Sequence, residues 1–253
     1  MDVEQIRALD ERGARAWPAV EVVELDGWQL RWSDGLTRRG NSVWPRAALG
    51  HIGLQDRLDA VEAFYGARGG TAIFQVSPAS EPAGLDDVLE ERGYEQFSPT
   101  EVQVARLDDL AGAPPGRVLL RENLDEGWVD VWRDIHQATA SEGGTARSIL
   151  TRSEIPTVFA LLEVDGAIVS VGRGALDRGW LGIHNMATVP SHRQQGSARQ
   201  ILSALAAWGV REGANRAYLQ VAADNEAARR LYASVGFDAA YRYFYWRAPT
   251  ASA

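Results

Sequence analysis

The 253-residue sequence contains no cysteine and no lysine, and all 26 of its basic residues are arginine. The absence of cysteine excludes disulfide bonds, thiolate metal ligands and a cysteine nucleophile. The absence of lysine excludes a Schiff base on the chain and the lysine of a phosphate-binding P-loop. The four histidines, at positions 51, 136, 184 and 192, show no metal-ligand spacing, so we expect no metal site.

Long apolar segments are also missing. No run of about 18 apolar residues occurs, which argues against a membrane span. The first 20 residues carry charges throughout and lack the apolar stretch of a secretion signal, so we expect a cytoplasmic protein. The formal net charge of −8 argues against non-specific binding to nucleic acid.

Length and composition predict two globular units. A domain of ordinary size has roughly 150 residues, and the apolar and charged fractions of 45% and 24% are typical of globular proteins. The segment AGAPPG (111–116) has the composition of a linker. We therefore predict units at 1–112 and 113–253. The first contains 20 Asp and Glu against 11 Arg and the second 14 against 15, so the second is the better candidate for binding an anion.

In the second unit, apolar periodicity predicts the order β-α-β-β-β-α-β-α-β. Three consecutive strands joined by tight turns form an antiparallel meander, and a crossover helix leads to a parallel neighbour. The result is a mixed sheet with helices on its faces. The strands are predicted at 118–120, 157–164, 167–176, 180–189, 216–221 and 239–248, and the helices at 123–140, 197–213 and 225–237.

The first unit has a similar order of predicted helices and strands. Both VLEERGYE (88–95) and LYASVGFD (231–238) combine a helix end, a glycine and an aromatic residue, which suggests an internal repeat. Helices are predicted at 4–17, 54–69 and 84–97, and strands at 20–25, 28–32, 41–44, 71–76 and 100–107.

The segment VPSHRQQGSARQIL (189–202) combines a strand end, a proline and a turn of small residues before an apolar helix. Small residues let a ligand approach the backbone, and the first amides of a helix have no intrahelical acceptor. Together with the helix dipole, this arrangement is suited to binding a pyrophosphate. The segment is neither a Walker loop nor G-x-G-x-x-G, and an ordinary strand-to-helix turn would have the same sequence features.

A second segment, NEAARRLYASVGF (225–237), follows after one predicted strand. Together, V-P-x-x-R-x-x-G-x-A and N-x-x-A-x-x-L-Y-x-x-x-G-F resemble the GNAT superfamily of N-acetyltransferases, over about residues 116–248. The resemblance implies an α/β (α+β) fold of two GNAT-like modules. Each is a mixed, mostly antiparallel sheet with helices on both faces and a splayed central strand pair. Residues 1–112 resemble a degenerate module without the phosphate loop, and residues 113–253 the catalytic module.

The resemblance also implies acetyl-CoA as co-substrate and assigns roles to individual residues. Tyr232 matches the tyrosine that protonates the departing thiolate, and Asn225 matches an asparagine that contacts the cofactor arm. Ala198 stands where glycine is commoner in the family. The resemblance implies that the loop backbone holds the pyrophosphate, through Arg193, Gln194, Gln195, Gly196, Ser197 and Ala198. It also implies that the end of the preceding strand hydrogen-bonds the pantetheine arm, through Ala187, Thr188 and Val189.

The general base is left open by the sequence. His184 lies in the strand before the cofactor contacts and could reach the amine, although a lone strand histidine is more often structural. Glu142 and Glu163 are weaker alternatives. His192, beside the phosphate loop, is better suited to contact phosphate or solvent.

The segment 27–45 is rich in tryptophan, arginine and asparagine. It is either part of an acceptor pocket between the modules or an exposed hairpin with a packed tryptophan. The residues proposed to line such a pocket are Arg38, Arg39, Asn41 and Trp44.

These observations predict an N-acetyltransferase that transfers the acetyl group of acetyl-CoA to the primary amine of a small molecule. Because no cysteine is available for an acyl-enzyme, we expect direct attack in a ternary complex. The alternatives are a protein acetyltransferase, acting on lysine or an N-terminus, and a non-catalytic acetyl-CoA-binding regulatory module. We expect a monomer or homodimer that binds neither nucleic acid nor membrane.

Overall fold

The computed structural model describes residues 1–47, 49–110 and 117–249, so the predicted linker at 111–116 lies outside the described residues. The chain forms one continuous 11-stranded sheet in the order β1-β2-β3-β4-β11-β5-β10-β9-β8-β7-β6. Among the described residues, no helix has the length and apolar character needed to cross a membrane.

The bounds of the elements are as follows. The strands are β1 (Glu21–Leu25), β2 (Trp28–Trp32), β3 (Val43–Trp44), β4 (Ile73–Val76), β5 (Glu95–Arg106), β6 (Val118–Arg121), β7 (Thr157–Val164), β8 (Ala167–Asp177), β9 (Trp180–Thr188), β10 (Arg216–Ala222) and β11 (Asp238–Arg247). The helices are α1 (Val3–Ala16), α2 (Leu54–Gly66), α3 (Leu85–Glu91), α4 (Leu107–Leu110), α5 (Glu126–His136), α6 (Ala140–Arg152), α7 (Ser197–Arg211) and α8 (Glu226–Ala233).

Helices cover both faces of the sheet because side chains alternate along each strand. In β7, Ala160 and Leu162 belong to the apolar core that contains Leu205 of α7. Their neighbour Leu161 belongs instead to the core that contains Trp128 of α5. The predicted fold class, a mixed and mostly antiparallel sheet between helices, is confirmed.

Three predicted helices end at least four residues early in the structure. The one predicted at 225–237 ends at Ala233. The helix predicted at 123–140 ends at His136, because Gln137 adopts a left-handed conformation with φ 52°. A further helix that the sequence reading missed, α6, begins after Thr139. The helix predicted at 84–97 ends at Glu91, because Gly93 turns the chain with φ 84°, and β5 starts soon afterwards.

The internal repeat is visible in the topology. The series β3-α2-β4-α3-β5 recurs as β9-α7-β10-α8-β11, and the first two strands of each series are parallel. The last strands are then exchanged between the halves. β5 lies between β11 and β10, and β11 lies between β4 and β5. The halves 1–112 and 113–253, which we propose as the two modules, therefore share one sheet.

This exchange predicts that a fragment of residues 113–253 does not fold cooperatively. β5 pairs with seven residues of β10 and eight of β11, so removing it leaves both strands with an open edge. We expect the fragment to show no cooperative thermal unfolding by circular dichroism, and co-expression with residues 1–112 to restore it. A fragment that unfolds at the temperature of the whole protein would contradict the expectation.

Asp10 of α1 ties the halves together and predicts a pH dependence of stability. Its carboxylate accepts hydrogen bonds from Ser77 Oγ and from Tyr241 Oη, both 2.6 Å long. Burial raises the pKa of Asp10 to about 6, although both hydrogen bonds oppose the shift. Because the unfolded carboxyl ionises near pH 4, the stabilisation is present below that pH and is lost as the pH rises to about 6.

We therefore expect the free energy of unfolding of the wild type, relative to Asp10→Asn, to decrease by about 2 kcal/mol from pH 4 to pH 7. Urea unfolding of both proteins at the two pH values measures this difference. The same pH dependence in both proteins would show that Asp10 does not change its protonation on folding.

Candidate active site

The sheet opens between β9 and β10. Their parallel pairing ends where Leu219 lies opposite Ile183, whereas β9 continues to Thr188 and β10 to Ala222. A bulge interrupts β9 just beyond this point, where Asn185 has φ 54° and the register with β8 shifts. The diverging ends have the form of the splayed strand pair predicted from the sequence.

Beyond Thr188 the chain forms the predicted loop and enters α7. Gln194 and Gly196 are left-handed, with φ 60° and 82°. The backbone amide of Gln200 donates to Gly196 O, so the preceding amides of residues 197–199 have no acceptor within the helix. A Cβ built on Gly196 would have no atom within 4 Å. Exposed amide donors at a helix N-terminus fit a phosphate group.

Side chains of the loop hold its backbone. Arg193 Nε donates to Thr188 O at 3.1 Å, Gln195 Nε2 to Ser191 O at 2.9 Å, and Ser197 Oγ to His192 O at 3.3 Å. These side chains therefore fix the conformation of the loop, and its backbone amides are the groups left to hold an anion.

The strand end before the loop has one peptide edge bound to β8 and the other facing the gap. Val189 N donates to Val169 O of β8. Because peptide groups alternate in direction along a strand, the Thr188 amide faces away from β8. Ala187 O accepts a hydrogen bond from Ser170 Oγ at 3.0 Å. Of the three residues, Thr188 thus has the amide best directed toward a ligand between the strands.

A cavity of about 380 Å³ lies at the divergence and is lined by residues of both halves of the chain. The first half contributes the end of α1, the loop before β3 and the start of β5. The second half contributes α5, β9, β10, α8 and β11. Its lining residues are Trp17, Thr37, Arg38, Arg39, Ser98, Thr100, Trp132, His136, Ile183, His184, Asn185, Met186, Gln220, Val221, Ala222, Asn225, Ala228, Tyr232, Tyr243 and Tyr245.

Asn225 and Tyr232 enter this cavity from α8. Asn225 Oδ1 caps the helix by accepting from the Ala228 amide at 3.1 Å, so its side-chain NH₂ is the group left for a ligand. The Tyr232 ring packs edge-on against Phe237. Burial raises the pKa of Tyr232 to about 12, so its hydroxyl remains protonated at neutral pH.

His184 lines the cavity, is only 7% exposed, and its Nε2 has no hydrogen-bond partner. Burial, reinforced by the charges of Arg173 and Arg39, lowers the pKa of His184 well below its ordinary value. The ring is therefore neutral at pH 7 and has the protonation state that a base requires.

The sequence reading missed His136 as a site residue. It ends α5, stacks on Trp132, and its Nδ1 lies 2.8 Å from Trp132 O. Because a carbonyl only accepts, Nδ1 carries a proton, so Nε2 is the nitrogen that can accept one in the other ring position. Helical spacing of Trp128, Trp132 and His136 was visible in the sequence, but it indicated only a helix face.

The weaker base candidates lie elsewhere. Glu142 accepts from the Thr139 amide and hydroxyl in the capping box of α6, and Glu163 is exposed on β7. Neither is among the residues that line the cavity.

Of the four residues expected from segment 27–45, Arg38 and Arg39 line the cavity. Asn41 instead holds the preceding loop, because its Oδ1 accepts from the Ser33 and Gly35 amides. Trp44 is buried and packs against arginine side chains outside this cavity.

Comparison with known proteins agrees with this architecture. The family model described as "Probable histone acetyltransferase Rv0428c C-terminal" matches residues 3–246. An uncharacterized N-acetyltransferase of Bacillus subtilis, YobR, is 27% identical over 247 residues, which cover 96% of this chain and 98% of that protein. The chain therefore belongs to the Rv0428c C-terminal acetyltransferase family and is an N-acetyltransferase of GNAT type.

Solved structures share the fold. A GCN5-related N-acetyltransferase from Kribbella flavida superposes with a TM-score of 0.67 at 17% identity, covering 98% of this chain and 95% of that chain. A tandem GNAT protein from the clavulanic acid biosynthesis pathway superposes with a TM-score of 0.60 at 13% identity, covering 81% and 74%.

Proposed function

We propose that this protein transfers the acetyl group of acetyl-CoA directly to the primary amine of a small molecule. The observation that carries the proposal is the cavity, lined by residues of both halves, at the point where β9 and β10 diverge. Its volume of about 380 Å³ is within the range of small-molecule sites. Elements of both halves surround it, so an acceptor would be held from several sides.

The residues of the second half fit acetyl-CoA. The amides at the start of α7 suit its diphosphate, and the gap between β9 and β10 leads from there to the cavity. When bound, acetyl-CoA supplies a thioester whose thiol leaves as a thiolate. Tyr232 is the hydroxyl available in the cavity from α8 to donate a proton to it. Burial raises the pKa of Tyr232, and it would equally raise the pKa of a coenzyme A thiol beside it. A buried thiolate therefore remains basic enough to take the proton from the tyrosine.

An amine attacks only in its neutral form, so the site needs a proton acceptor. His136 and His184 are the two histidines that line the cavity. His136 donates from Nδ1 to Trp132 O, which leaves Nε2 as its accepting nitrogen, and the residue is open to solvent, to which the proton can be passed. His184 is neutral but is a weak base because burial lowers its pKa. We therefore assign the role of base to His136, and His184 to positioning of the acceptor.

A protein lysine is the second candidate acceptor, because the description of the matching family model names a probable histone acetyltransferase. Acetylation of a small molecule and acetylation of a protein lysine need sites of different shape. A lysine on a folded or extended protein needs a groove that admits a chain. This cavity is partly open to solvent and is lined by α5, β5 and the loop before β3, so the acceptor assay decides between the two.

The test measures acetyl-CoA binding by calorimetry and thiol release with small primary amines and with a lysine-rich histone-tail peptide. We expect micromolar or tighter binding of acetyl-CoA and turnover with small amines only. Turnover with the peptide alone would favour the second candidate. Binding without turnover by any acceptor would favour a regulatory module.

A further inference from the structure

The charges around the cavity point to the chemistry of the acceptor. Among the described residues, its lining includes two arginines, Arg38 and Arg39, and no aspartate or glutamate. The whole chain, in contrast, has a net charge of −8. A local positive potential in an acidic protein is a feature that selects ligands by charge.

A third arginine, Arg173, lies directly beside the cavity. It pairs across the sheet with His184, so the two side chains share a face, and its guanidinium lies 6.0 Å from the centre of the Trp17 ring. Arg173 is fully buried. Its Nη2 donates to the neutral carbonyl of Ala16, while Nε and Nη1 have no hydrogen-bond partner in the part of the chain that the structure describes.

Arg39 is also incompletely satisfied, because its buried Nε has no hydrogen-bond partner within residues 1–47, 49–110 and 117–249. Among the residues that the structure describes, neither Arg173 nor Arg39 forms an ion pair with a carboxylate, and the charges of both reach His184, where they add to the effect of burial in lowering its pKa. A buried positive charge without a counterion is costly, and a bound anion would relieve that cost.

We infer that the acceptor is an amine that also carries a carboxylate or phosphate group, which Arg39 binds with support from Arg38 and the field of Arg173. The inference rests on the proposed function, since it names the substrate class of the same site. Guanidinium groups bind both anions through paired charge-assisted hydrogen bonds. Polyamines and lysine-rich peptides would instead bring further positive charge into a positive cavity.

The experiment compares kcat/KM for three matched pairs of amines: an α-amino acid and its amide, a β-amino acid and its amide, and phosphoethanolamine and ethanolamine. Spermidine is added as a polycation. We expect the anionic member to be favoured by about tenfold or more in at least one pair. The pair that shows the preference distinguishes carboxylate from phosphate.

Arg39→Gln is expected to reduce this preference by about tenfold, mainly through KM, without changing acetyl-CoA affinity. Arg46→Gln is the matched control, because Arg46 packs on Trp44 outside the cavity and should leave the preference intact. Thermal unfolding of both variants checks that they are folded.

The outcomes separate this inference from the proposed function. If the protein does not bind acetyl-CoA, or transfers acetyl to none of the amines, the result contradicts the proposed function. Intact transfer with equal or better use of neutral amines or spermidine would overturn the inference. So would a loss of acetyl-CoA affinity in Arg39→Gln with an unchanged acceptor preference. If acetyl-CoA binds but no amine reacts, calorimetry measures the affinity of the acetyl-CoA complex for both members of each amine pair. Equal affinities for the anionic and the neutral member would overturn the inference.

Discussion

Glutamate in place of Gly196 is expected to reduce the affinity for acetyl-CoA by at least about 100-fold, which corresponds to about 2.7 kcal/mol. Two effects act together. Gly196 has φ 82°, a conformation that costs other residues about 1–2 kcal/mol. The added carboxylate also lies beside the amides of residues 197–199, where it would repel a diphosphate or occupy its place.

Calorimetry with acetyl-CoA measures the effect, and two variants separate its causes. Gly196→Ala carries the conformational cost without the charge, and it meets no steric obstacle because a Cβ there has no neighbour within 4 Å. Gly213→Glu is the matched control at the other end of α7, where φ is 84° and the space is equally open. We expect an intermediate loss for the first and no loss for the second. Unchanged affinity of Gly196→Glu would remove the phosphate loop from the proposal.

Tyr232→Phe is expected to lower kcat by about 100-fold or more while acetyl-CoA affinity changes less than about twofold, since general acids contribute about 10²–10⁴ in rate. Phenylalanine keeps the edge-on packing against Phe237 and removes only the hydroxyl. Because burial raises the pKa of Tyr232 to about 12, the wild-type acid loses its proton only as the pH rises toward that value. We therefore expect no basic limb of kcat from this residue below about pH 10.

Thiol release under saturating amine measures this rate. Tyr94→Phe is the control, because Tyr94 follows the equivalent helix α3 and lies in the core around α2, away from the cavity. Its loss should affect stability and leave kcat within about twofold of the wild type. A Tyr232→Phe enzyme with the full rate would show that the thiolate leaves without a proton from the protein.

The local parts of the site could be predicted from the sequence because their conformation is set by neighbours along the chain. The loop before α7 needs a residue that tolerates positive φ at its last position, and Gly196 supplies it. Asn225 has the side chain that a helix N-cap requires, and it caps α8. The start of α6 carried a comparable signal in Thr139 and Glu142, a capping box, but Gly143 and Gly144 masked the helical pattern.

The partners across the sheet could not be predicted in this way. β5 and β11 both end a strand-helix-strand-helix series, and either could pair with the strand of its own half. Backbone hydrogen bonds are the same for every strand, so alternation of apolar residues shows which face is buried but not which strand lies alongside. The exchange depends on packing across the whole sheet, for example on the contact between Asp10 of α1 and Tyr241 of β11.

The sequence by itself determined the class of fold and the local conformation of the turn before α7, which we propose holds the diphosphate, because each depends on short segments with their own conformational preferences. Only the tertiary structure decided that one sheet spans both halves and that an arginine-lined cavity forms between them. Trp17, Arg39, His136 and Tyr232 are far apart along the chain and meet in that cavity. Their meeting follows from non-local strand pairing, whose loop-closure entropy and packing energy no single segment encodes.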